Sequence, residues 1–148
     1  MNTQALTISA FFAKDHDEID AILSRADFRE PAAALLILKE FDYRLERHII
    51  WEETVLFPAA ARVEPALARG PIPVMLMEHI AIRAAKAKAL ELLAKGDGLG
   101  ALARIQEMLV VLAAHNRKEE SVLYSACDRL IPKEEAESML SLLASSAP

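Results

Sequence analysis

The chain has 148 residues, 53% of them hydrophobic, and a net charge of −5. That length suits a single domain, with a core that buries about 70% of the unfolded surface. Acids and bases are interspersed, which argues against a nucleic-acid partner. No apolar run approaches the roughly 20 residues that a spanning helix needs, which argues against a membrane partner. The opening residues MNTQALTISAFFAKDHDE lack the basic start of a signal peptide, so a cytoplasmic location is expected. Cys127 is the one cysteine, has no disulfide partner and reads as a small buried apolar residue.

Four glycines and seven prolines divide long stretches rich in Ala, Leu, Glu, Lys and Arg, the composition of helices. The first predicted helix runs from an N-cap at Thr7 or Ser9 to about Ala26, with Phe12, His16, Ile19 and Leu23 on its apolar face. A second opens at Pro31, a favoured first helical position, and continues at least to Phe57. Its stripe is Leu38, Phe41, Leu45, His48, Glu52 and Val55. The stretch AARVEPALARGPIP reads as a loop. The third helix spans Pro73 to about Lys95, with Met75 or Leu76, His79, Ile82 and Lys86 on one face and Gly96 just past its end. The fourth, from about Leu99 to Ala126, aligns Ile105, Met108, Leu112, His115, Glu119 and Val122. Pro132 then starts a short helix, Lys133–Ala144, with Met139, Leu140 and Leu143 on one side. The pattern predicts an all-α fold: an antiparallel up-down-up-down four-helix bundle over about residues 7–127, with a short extra C-terminal helix over about 132–145. Residues 1–148 form one domain on this reading.

The segment RHIIWEETVLFP sets His48 and Glu52 four residues apart, on one helical face. It returns as HNRKEESVLY, with His115 and Glu119 at the same spacing. A weaker repeat relates DHDEIDAIL at Asp15 to EHIAIRAAK at Glu78, so the chain reads as two helical hairpins of one design. Each predicted long helix carries one histidine, each on its apolar stripe, and no histidine lies elsewhere. Counting residues to the helix ends puts His48, Glu52, His79, His115 and Glu119 at one height, near one end of the core, at about 1.5 Å per residue. His16 fits that height less well, because the first helix counts short. Buried carboxylates need a positive partner, and a metal supplies it. Four imidazoles and two carboxylates exceed what one tetrahedral zinc uses and suit two ions that share the carboxylates. Mixed nitrogen and oxygen ligation favours iron, with manganese or zinc as alternatives.

His16, His48-x3-Glu52, His79 and His115-x3-Glu119, with the trailing EExxLFP and EExxLY, resemble the hemerythrin-like (HHE cation-binding) domain, from Lys14 to about Leu130. The resemblance implies an oxo- or hydroxo-bridged di-iron centre. In it His16, His48, His79 and His115 are terminal ligands, and Glu52 and Glu119 are bridges. The oxygen carriers of the family have a further histidine four residues on in the third helix. Arg83 stands there in this chain and cannot ligate a metal at neutral pH. That leaves a position for water, an exogenous ligand or Glu78, and leaves Arg83 to pair with Glu119, to hold an anionic ligand or to face solvent. Trp51 either walls the site or packs in the core, and Glu53 and Glu120 read as solvated charges.

The expected function is therefore a non-haem di-iron protein that binds O2, NO or peroxide for sensing, protection or iron handling. One alternative is a di-iron enzyme for peroxide dismutation or iron-centre repair. The other is a metal-free helical interaction module.

Overall fold

The computed structural model describes residues 6–146, and all regular structure among them is helical. Thr7 caps α1 (Ile8–Leu23), its hydroxyl accepting from the Ala10 amide. Pro31 opens α2 (Pro31–Trp51). The chain continues through a π-helical turn, Glu52–Leu56, into α3 (Phe57–Val63). Next come α4 (Pro65–Arg69) and α5 (Pro71–Ala94). A second unbroken run follows: α6 (Gly98–Lys118), a π-helical turn at Glu119–Leu123, and α7 (Tyr124–Leu130). Last is α8 (Lys133–Ser145). The stretch expected as a loop after Pro58 is thus mostly helical. Pro58 follows directly on the π-helical turn, where the regular hydrogen-bond ladder is already interrupted, and so is accommodated inside a continuous helical run.

The α5–α6 corner uses each residue of its turn. Gly96 takes φ +83°, and the Gly96 and Asp97 amides bond back to the Leu93 and Leu92 carbonyls, which closes α5. Asp97 then caps α6 by accepting from the Gly100 amide at 2.8 Å. A Cβ on Gly98 would sit 2.0 Å from the Phe28 carbonyl, so only glycine lets the α1–α2 link cross there. That link, residues 24–30, also resolves the height of His16. Its seven residues span the roughly 15 Å by which α1 falls short of α2, within the reach of an irregular segment.

Helix α1 packs on α2, α2 on α5 and α5 on α6, while α7 returns to α1. Two apolar clusters fill the interior. One holds Phe41, Leu45, Ile82, Ile105 and Met108, toward the Gly96 turn. The other holds Phe12, Leu56, Phe57, Tyr124 and the Met139, Leu140 and Leu143 face of α8. Cys127 is buried in the second, as expected, and burial pushes its thiol pKa up to about 12. The buried polar layer lies between the clusters rather than at one end of the core, because α3, α7 and α8 extend the apolar interior past it. Each buried Leu or Ile contributes about 1.5–3 kcal/mol, and these terms offset the burial of six polar side chains in one slab. The run Gly98–Leu130 has the length and mean hydropathy of a spanning helix, but it carries His115 and Glu119 into this layer.

The apolar stripes hold up to Glu52 and Glu119 and then slip by one residue. Val55 was expected inside and is half-buried, while Leu56 is buried; Val122 is exposed, while Leu123 is buried. A π-helical turn adds one residue without advancing the helix, and this shifts the inward-facing position.

Candidate metal centre

His16, His48, His79, His115, Glu52 and Glu119 are all buried in the layer between the two clusters. They form two groups of four whose ligand-type atoms lie within 4.8 Å of one another: His16, His48, Glu52 and Glu119, and then Glu52, His79, His115 and Glu119. Both carboxylates belong to both groups, and they do so oxygen by oxygen. Glu52 Oε2 lies 3.5 Å from His48 Nε2, while Oε1 lies 3.1 Å from His79 Nε2. Glu119 Oε1 lies 3.2 Å from His16 Nε2, while Oε2 lies 3.3 Å from His115 Nε2.

Every imidazole points Nε2 inward and gives Nδ1 to an outer carboxylate. His16 pairs with Glu120 at 2.8 Å, His48 with Asp15 at 2.8 Å, His79 with Glu53 at 2.8 Å and His115 with Glu78 at 3.0 Å. A proton held on Nδ1 leaves the Nε2 lone pair for a metal and fixes each ring plane. The pairs follow a rule. The acid before each single histidine, Asp15 or Glu78, holds the histidine of the next long helix; the acid after each shared glutamate, Glu53 or Glu120, holds the histidine of the other kind. Glu53 is half-buried and Glu120 is exposed, as expected of solvated charges, yet each also holds an imidazole of the layer. Three of the outer acids carry a cation: Asp15 meets Arg44, Glu53 meets Arg83 and Glu78 meets Lys118.

Tyr124 is the residue that periodicity missed. Its buried hydroxyl donates to Glu52 Oε2 at 2.6 Å and lies 3.0 Å from Glu119 Oε1. It is also 3.2 Å from His16 Nε2 and 3.3 Å from His48 Nε2. Tyr124 is five residues after Glu119, a spacing that points away on a regular α-helix and returns to the same side through the π-helical turn. Phe57 is its counterpart five residues after Glu52, and it stacks on His79 at 5.8 Å. One group thus carries a phenol and the other a phenyl. The only sequence signal was the single difference between EExxLF and EExxLY.

A family model, the Hemerythrin HHE cation binding domain, matches residues 7–127. The chain belongs to that family. No match was found among curated proteins or among solved structures.

In the hemerythrin-like site three residues left open by the sequence take definite places. Arg83 does not reach Glu119. Its guanidinium turns outward, 2.7 Å from Glu46 and 3.2 Å from Glu53, and so braces His79 through Glu53. Glu78 stands behind His115, bound to its Nδ1 and to Lys118, and does not enter either group of ligand atoms. Trp51 packs in the core on Phe11, centroids 5.6 Å apart, under the Arg47 guanidinium, and does not wall the site.

The hemerythrin-like residues fit a metal by their own electrostatics. Burial disfavours a charged His48, but Glu52, Asp15 and Glu119 outweigh it and raise its pKa to about 10. His115 is raised in the same way, with Glu119 the largest opposing influence. Burial works against the Glu52 carboxylate, yet His48 and its hydrogen bonds hold its pKa well below the usual range. For Tyr124, burial and the two carboxylates keep the phenol protonated. Protons thus do in part what a cation would do. The balance is incomplete: Glu119 Oε2 is buried and accepts no hydrogen bond, although His115 Nε2 is 3.3 Å away. A cation held by the shared carboxylates would satisfy that oxygen.

Proposed function

We propose that the chain is a non-haem di-iron protein that takes a small ligand, O2, NO or peroxide, on the His79–His115 side of its centre. In this reading the four-helix bundle is of the up-down-up-down kind. His16 and His48 would hold one iron and His79 and His115 the other, with Glu52 and Glu119 shared between them. Two irons so held would supply reversible binding of small ligands and one-electron chemistry, whereas zinc would supply no redox chemistry.

The observation that supports this reading best is the asymmetry of the two groups. The His16–His48 group has the Tyr124 hydroxyl beside it as a further polar group. The His79–His115 group has Phe57 in the equivalent place, and Arg83 turned away toward Glu46. Among the described residues that second group has four ligand-type side chains and no more, and a small ligand on that side would meet the Phe57 ring. Sensing, protection and iron handling all fit such a position. A cytoplasmic setting fits a chain with one cysteine and no disulfide.

The test is anaerobic loading with ferrous iron followed by metal analysis and NO titration. The expected result is two irons per chain, with NO binding that is altered by His79→Ala more than by His16→Ala. Negligible iron uptake, together with unchanged thermal stability after chelation, would favour a metal-free interaction module. A peroxide-dismutating enzyme is the second reading. It is supported by the Tyr124 hydroxyl, a proton donor within 3.3 Å of both His16 and His48. Sustained peroxide turnover that is lost in Tyr124→Phe would favour it.

A further inference from the structure

Behind His48, outside the ligand cage, one half-buried cation is short of partners. Arg47 precedes His48 on α2, and its side chain keeps 15% exposure. Its Nε is buried with no hydrogen-bond partner, and so is that of Arg44. The nearest acid to Arg47 among the described residues is Asp15, with Oδ1 at 3.8 Å. Asp15 is already engaged, since Oδ1 accepts from Arg44 at 2.8 Å and Oδ2 from His48 at 2.8 Å. The Arg47 guanidinium instead rests on the Trp51 ring, 4.5 Å from its centroid. A guanidinium has five N–H donors; in Arg47 the buried Nε is closed off, and the terminal nitrogens are the ones left open to an incoming acceptor.

The same side chains line a recess of about 290 Å³ between α1 and α2, closed at its edge by Leu6 and by Ala144 of α8. Three cations, Lys14, Arg44 and Arg47, face two carboxylates there, Asp15 and Glu18. Glu18 is shared between Arg44 at 2.9 Å and Lys14 at 3.9 Å. The floor is aromatic: Phe11 and Trp51, centroids 5.6 Å apart. The recess therefore offers one unmatched positive charge, free planar donors and an apolar wall. A carboxylate meets a guanidinium through two parallel hydrogen bonds, which a spherical anion cannot match. The volume lies near the small end of ligand sites, so the body attached to that carboxylate is small.

We propose that this recess binds a small organic carboxylate, its anionic head on Arg47 and its apolar body against Phe11 and Trp51. The site is independent of iron at the centre and stands or falls without it.

Trp51 is the chain's one tryptophan, so its fluorescence reports the recess directly. The experiment titrates the purified full-length protein with phenylacetate, with neutral phenylacetamide and with inorganic phosphate. Phenylacetate is expected to give a saturable change in Trp51 fluorescence, at least about tenfold tighter than phenylacetamide, the size of one charge-assisted interaction. Arg47→Gln is expected to lose that advantage, and Arg47→Lys to keep part of it. Absence of a saturable change, equal affinity in Arg47→Gln, or phosphate binding as tightly as phenylacetate overturns the proposal. Should Arg47→Gln fail to fold, the native protein still decides. Affinity for phenylacetate falls as sodium chloride is raised if Arg47 holds the head, and affinity that is indifferent to salt overturns the proposal.

Discussion

Tyr124 places a single phenol at the point where both shared carboxylates and two imidazoles meet. Its hydroxyl has one proton to give, and the 2.6 Å contact assigns it to Glu52. Without metal, that hydrogen bond to a buried charge is worth about 1–3 kcal/mol. With metal, the carboxylate charge is neutralised from the other side and the phenol matters less to the fold. Tyr124→Phe is therefore expected to lower the melting temperature of the metal-free protein clearly and that of the iron-loaded protein little. Thermal unfolding with chelator and with ferrous iron checks this; an equal drop in both forms would assign the phenol to packing alone. The burial and convergence of the four histidines and two glutamates were legible in the sequence because they fall on apolar stripes at helical spacing. The hydrogen bonds of Asp15, Glu53, Glu78 and Glu120 were not. Each sits beside a core position, looks like an ordinary helix-surface acid, and meets its imidazole only through the packing of a neighbouring helix.

The long helices and the C-terminal one were read nearly to their ends, since capping residues and proline at the first turn are local signals, whereas the Pro- and Gly-rich stretch that forms most of α3 and all of α4 reads as a loop in the sequence. What could not be read was the change of pitch inside two of them. EETVL and EESVL are unremarkable as helix formers, and both wind as π-helical turns at the shared glutamates. Such a turn forgoes regular hydrogen bonding, and its retention in both halves of the repeat ties it to the site. The slip of the apolar stripe from Val55 to Leu56 and from Val122 to Leu123 was present in the sequence, yet it is too short to tell from ordinary irregularity. Deleting exposed Val122 removes the extra residue and lets α6 and α7 run as one regular helix, with α7 keeping its register on α1. The expected outcome is a metal-free protein at least as stable as the native one, with iron content reduced toward one per chain. Unfolding of the deletion variant, or iron content that stays at two, would separate the π-helical turn from metal binding.

At the scale of the whole molecule, the charged slab divides the core, and its stability depends on what neutralises Glu52 and Glu119. In the metal-free protein protons on His48 and His115 share that work. An unfolded histidine titrates near pH 6.5, and folded His48 near 10. The folded state thus holds the proton more tightly. The stability gained from it is complete below about pH 6.5 and is lost as pH rises toward 10. His115 is shifted in the same direction and adds to the loss. Metal needs the same nitrogens without their protons, so loading expels protons and strengthens with pH. These two trends act in opposite senses on the two forms of one protein. The melting temperature of the metal-free protein is expected to fall between pH 6.5 and 9 while that of the iron-loaded protein holds, so that the gap between them widens. Anaerobic thermal unfolding across that range, with chelator or with ferrous iron, measures the gap directly. A gap that stays constant or narrows would mean that protons on these imidazoles do not stand in for the metal, and that the polar layer is held together by its outer carboxylates alone.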